Sequence, residues 1–115
     1  MEAKELRIGN WIKYNFKMQG WNDVQVCAND FHNGFRDDKF VSINYKPIPL
    51  TEEWLVKFGF EKLKGWDDMF YFEIDDFQIY EYNVSGYEYD DFNIKNVHQL
   101  QNLYFALTNE ELTIK

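Results

Sequence analysis

From Gly65 to Ile94 the chain carries nine Asp/Glu and ten Phe/Tyr/Trp side chains and no Lys, Arg or His. Aromatic rings gain most by leaving water, whereas unpaired carboxylates cannot be buried. The chain must therefore send the two kinds of residue to opposite faces, and a period of two does so in a β-strand. Phe70, Phe72 and Ile74 then share one face, with Tyr71, Glu73 and Asp75 on the other. The turn-forming clusters Gly65-Trp66-Asp67-Asp68 and Asn83-Val84-Ser85-Gly86 divide the stretch into a meander, with further strands predicted at 77–82 and 87–92.

The flanks carry different signals. Residues 7–14 and Val24-Gln25-Val26 read as two strands of a curled hairpin, with Gly20, Asn22 and Asp23 as turn formers between them. A third strand is predicted at Phe40-Val41-Ser42-Ile43. Thr51-Glu52-Glu53 opens a short helix, because the Thr51 hydroxyl can cap an orphan N–H and the two acids suit the positive end of the helix dipole. Gly59 stops that helix in a left-handed turn, with Phe60 folding back on Leu55. Val97, Leu100, Tyr104 and Leu107 recur at helical spacing after Asn96, and Asn109 ends this second helix. The segment Leu112 to Ile114 is expected as a short strand or a docked tail.

These elements define an α+β fold: a small antiparallel sheet, curled or barrel-like, with one short middle helix and one C-terminal helix packed on it. At 115 residues and without a linker or repeat, the chain is expected to form a single domain, residues 1–115. The net charge of -8 lies entirely in the acidic stretch, since the segments before and after it nearly balance. No apolar run is long enough to cross a bilayer and Met1-Glu2-Ala3-Lys4-Glu5 lacks a secretory core, so a cytoplasmic protein with no membrane partner is expected. Self-association is left open.

Chemistry-bearing patterns are sparse. Cys27 and His32 lack an orienting third group, so no catalytic residue is assigned; Cys27 reads as a small buried hydrophobe and His32 as a loop residue. His98 falls in the first turn of the last helix, where an exposed side chain is expected. The acid pairs Asp67-Asp68, Asp75-Asp76 and Asp90-Asp91 lack the spacing of a cation loop, and one cysteine cannot build a multi-cysteine zinc site. No metal site is assigned. No Gly-rich loop ends in Lys-Ser/Thr, and no cofactor is implied.

Three segments carry a resemblance: Leu6-Arg7-Ile8-Gly9-Asn10-Trp11, Tyr45 through Phe60, and Val97 through Thr108 with Glu110-Glu111-Leu112 after it. Together they resemble a group of small uncharacterised bacterial and phage or prophage proteins, the acidic stretch lying outside the match. The resemblance brings no activity or site residue with it. It implies a phage-associated accessory context, a class that includes inhibitors of host defence such as anti-CRISPR proteins.

The expectation is a non-enzymatic protein-binding module. Its acidic, aromatic face would meet a basic, nucleic-acid-handling partner by mimicking the spaced charges of a nucleic acid, through Tyr71, Glu73, Asp75, Tyr80, Glu81, Tyr82, Tyr87, Glu88, Tyr89 and Asp90. The competing reading of that face is a solvated surface on an ordinary sheet. Direct nucleic-acid binding is disfavoured by the charge. Its alternative form is a small β-rich domain whose N-terminal sheet offers Lys4, Arg7, Lys13, Lys17, Arg36 and Lys39 with Trp11, Phe16 and Trp21.

Overall fold

The computed structural model describes residues 5–15, 20–27, 44–66, 69–82, 86–90 and 92–115. In chain order the elements are β1 (Trp11–Asn15), β2 (Trp21–Gln25), β3 (Tyr45–Lys46), α1 (Glu52–Lys57), β4 (Glu61–Lys64), β5 (Phe70–Ile74), β6 (Phe77–Tyr82), β7 (Gly86–Tyr89), β8 (Phe92–Ile94) and α2 (Val97–Thr108). The class is α+β, as expected. The strands form two antiparallel sheets rather than one, β2-β1-β3 and β4-β5-β6-β7-β8, and neither closes into a barrel. The chain divides into two compact units, residues 1–49 with 96–102 and residues 50–95 with 103–115.

In the first unit, Leu6, Ile12, Val26 and Tyr45 make the core, and Tyr14 stacks on Tyr45 with ring centroids 4.6 Å apart. The residues expected to begin the first strand are instead a turn. Asn10 N–H donates to the Arg7 carbonyl (3.1 Å), Arg7 N–H donates to Asn10 Oδ1 (2.7 Å), and Gly9 supplies the positive φ of 98°. Asn22 and Asp23, expected in the hairpin turn, are strand residues opposite Tyr14 and Lys13; there Asp23 pairs with the Lys13 ammonium at 3.1 Å. The strand expected at 40–43 lies outside the described residues, and β3 supplies the third strand of this sheet.

A buried polar network joins this turn to the first half of α2. Asn102 Oδ1 accepts from Arg7 Nε (2.8 Å) and Asn10 Nδ2 (2.9 Å), while its own amide donates to the Glu5 carbonyl (2.8 Å). Gln101 accepts from Trp11 N–H (2.8 Å) and donates to the Gly9 carbonyl (3.0 Å). Gln101 thus closes two backbone groups, while Asn102 joins two side-chain donors to one backbone carbonyl.

In the second unit the short helix is built as its sequence implies. Thr51 Oγ1 accepts from Trp54 N–H (3.4 Å), and Gly59 at φ 94° allows two closing bonds, Gly59 N–H to the Val56 carbonyl and Phe60 N–H to the Leu55 carbonyl, each 3.0 Å. That pairing is a Schellman cap. The core gathers Trp54, Leu55, Phe58, Phe60, Phe72, Phe77, Ile79, Ile94, Tyr104 and Leu112. Burying each large side chain contributes about 1.5–3 kcal/mol. The C-terminal segment is a docked tail, held by buried Leu112 and by Lys115 N–H donating to the Lys57 carbonyl (2.8 Å).

The predicted strand at 87–92 is broken. Asp90 takes a positive φ of 53° and turns the chain between β7 and β8, so that Tyr89 pairs with Phe92. Asp75 (φ 47°) and Asp76 (φ 67°) form the two-residue turn between β5 and β6, which places all three aspartates at the same end of the sheet.

Candidate acidic aromatic face

Strand pairing decides which side chains share a face. Phe72 lies opposite Lys62 and Ile79, Glu81 opposite Tyr87, and Tyr87 opposite Ile94. With the two-residue period, Phe70, Phe72, Ile74, Phe77, Ile79, Glu81, Tyr87, Tyr89, Phe92 and Ile94 therefore fall on the core side. The other side presents Leu63, Tyr71, Tyr80, Glu88 and Asn93 in one cross-strand row and Glu61, Glu73 and Gln78 in the next. None of these outward residues is buried.

The residues expected to form one binding face are thus divided. Tyr71, Glu73, Tyr80 and Glu88 share the outer face, and Asp75 and Asp90 sit at its end in the turns. Glu81, Tyr87 and Tyr89 point to the core side instead. There Tyr89 stacks on Phe77 (4.9 Å, 9° between planes) and Tyr87 meets Phe72 edge-on (5.9 Å). Burial raises the Tyr87 phenol above its ordinary pKa, and the carboxylates of Glu81 and Glu52 raise it further, so it stays protonated. Tyr82 belongs to β6, and its side chain lies outside the described residues.

On the outer face the Tyr71 and Tyr80 rings lie 5.8 Å apart at 37°. Tyr80 Oη donates to Gln78 Oε1 (3.4 Å), and the Gln78 amide donates to Glu73 Oε2, so aromatic, amide and carboxylate are tied in a chain. Among the described residues no cation pairs with Glu61, Glu73 or Glu88. Glu61 and Glu73 are direct cross-strand partners of like charge, an arrangement that costs stability.

In the sequence Trp66 counts as one of the interleaved aromatics and as part of a turn, not as a binding residue. In the structure Trp66 is 90% exposed and lines a cleft of about 510 Å³ together with Lys64, Gly65, Met69, Phe70, Tyr71, Gln78 and Tyr80. A tryptophan within a turn cluster was the available signal, since a large apolar ring in a loop has no core to enter.

The other candidates are placed as follows. Cys27 is exposed rather than buried: its neighbour Val26, bonded to Gly9 and Asn10, takes the core position, and alternation turns Cys27 the other way. His32 lies outside the described residues. His98, expected in solvent, is 1% exposed, and its Nε2 sits 3.3 Å from Glu5 Oε1. The chain before β1 covers the first turn of α2, which no helical periodicity announces. Burial lowers the His98 pKa, with Glu5 acting in the opposite direction, and the ring is neutral at pH 7. Among the described residues no three His, Cys, Asp or Glu side chains converge as a metal site would require.

Of the basic residues offered for nucleic acid, Arg7 is bound to Asn102 and Lys13 to Asp23, and Lys46 stands over the Trp21 ring at 4.3 Å. Lys4, Phe16, Lys17, Arg36 and Lys39 lie outside the described residues. Comparison with protein-family models, with curated proteins and with solved structures returns no match to this chain. Among the described residues no helix is long and apolar enough to cross a membrane.

Proposed function

We propose that this chain is a non-enzymatic protein-binding module that presents the outer face of its five-stranded sheet to a basic, nucleic-acid-handling partner. The observation that carries this reading is the pairing of Tyr71 and Tyr80 beside Glu61, Glu73 and Glu88, carboxylates that no described cation of the chain neutralises. Tyrosines supply contact area at small entropic cost, and carboxylates steer a positive partner and select its orientation. Spaced carboxylates on a stiff sheet also present charge as a nucleic-acid backbone does. The setting that goes with this proposal is a phage-associated one, in which such a module inhibits a host defence or other nucleic-acid-handling protein.

The test is capture on the immobilised protein from a nuclease-treated bacterial lysate at low and at high salt, beside the Glu61→Lys/Glu73→Lys/Glu88→Lys variant. A basic protein held by the wild type, released by salt and not held by the variant is the expected result. Equal retention by both proteins would remove the outer face from the account.

A further inference from the structure

We propose that the cleft beside Trp66 receives an arginine side chain of the basic partner. This inference rests on the acidic-face reading above and names the chemistry it selects. The cleft, of about 510 Å³, lies within the range of small-molecule sites, and its walls include the rings of Trp66, Phe70, Tyr71 and Tyr80. A guanidinium is planar and weakly hydrated, so it stacks on aromatic faces while keeping its edge N–H groups free for acceptors.

The Gln78 amide oxygen is an acceptor within the lining. Gln78 lines the cleft and hydrogen-bonds Glu73, which in turn faces Glu61 across the ladder. A cation held beside Gln78 lies next to the residue that bonds Glu73, on a face whose charge is negative. Lys64, the single cation among the described lining residues, pairs in register with Phe70, and both line the cleft from the same cross-strand row. A lysine ammonium is more strongly hydrated and does not stack, and a nucleobase would bring phosphates toward a stretch bearing nine acids without a basic residue. The chemistry therefore favours arginine over either.

The experiment measures the affinities of labelled hexa-arginine and hexa-lysine peptides at one low salt concentration by fluorescence anisotropy. For the wild type, hexa-arginine is expected to bind about three- to fivefold tighter than hexa-lysine. Trp66→Ala removes a side chain that is 90% exposed and has little fold to disturb; it should bring the two affinities together. Glu73→Gln/Glu88→Gln should weaken both peptides alike. Equal affinities in the wild type, or a preference that survives Trp66→Ala, would overturn the cleft assignment while leaving the acidic face standing if the Glu variant still weakens binding. Failure of both peptides to bind would overturn both.

Discussion

Glu61 lies directly opposite Glu73 across the β4–β5 ladder, two carboxylates on one face with no described cation to neutralise either. Selection for stability alone would place a lysine at one of these positions. Glu61→Lys is expected to raise stability by about 0.5 kcal/mol in denaturant melts, because it converts a like-charge cross-strand pair into an opposite-charge one. The same variant should bind a basic partner more weakly. A gain in stability with undiminished binding would show that Glu61 plays no part in the interface.

The β5–β6 turn makes a parallel case. Asp75 and Asp76 both hold positive φ, which aspartate tolerates less well than Asn-Gly does. Asp75→Asn/Asp76→Gly is expected to stabilise the protein by about 1 kcal/mol, read from the urea midpoint. It also removes two charges from the end of the outer face, so association with a basic partner should slow at low salt.

Asn102 is the hub of the first unit's polar network. Asn102→Ala takes the Asn102 acceptor from the buried Asn10 amide and removes one hydrogen bond each from Arg7 and from the Glu5 carbonyl. A loss of about 1–2 kcal/mol is expected in equilibrium unfolding, because an unsatisfied buried polar group, here the Asn10 amide, costs about 1–3 kcal/mol. A loss below about 1 kcal/mol would mean that other groups replace Asn102.

His98 gives stability a pH dependence whose sign is fixed. Its folded-state pKa lies below the ordinary value of 6.5, chiefly through burial, so the unfolded chain binds the proton more readily. The contribution is complete above pH 6.5 and is lost as pH falls from there through the folded-state pKa. Unfolding midpoints measured between pH 7.5 and pH 5 should therefore fall more steeply for the wild type than for His98→Gln. Parallel profiles would remove His98 as the titrating group.

Local signals were the legible part of this fold. The Thr51 cap, the Gly59 stop, the Asn109 terminator and the alternation from Phe70 to Ile74 each depend on neighbours in sequence, and each is found where the residues place it. Pairing register is different, because it depends on partners far along the chain. Glu81 and Tyr87 looked like acidic-face residues until the β6–β7 register set them opposite each other on the core side. Likewise, nothing local to Val97-His98-Gln99 says that Glu5 will lie beside His98. The outer face was half legible for the same reason: Tyr71, Glu73, Tyr80 and Glu88 were named from the sequence, but only the pairing of the hairpins separates them from Glu81, Tyr87 and Tyr89.

The most direct test of the central claim is the dissociation constant of the captured partner for the wild type, for Glu73→Lys/Glu88→Lys and for Glu81→Gln. Loss of at least about tenfold in affinity for the outer-face variant, with an unfolding midpoint like that of the wild type and little change for Glu81→Gln, is the expected result. An affinity unchanged by reversing Glu73 and Glu88 would contradict the assignment of that face as the binding surface.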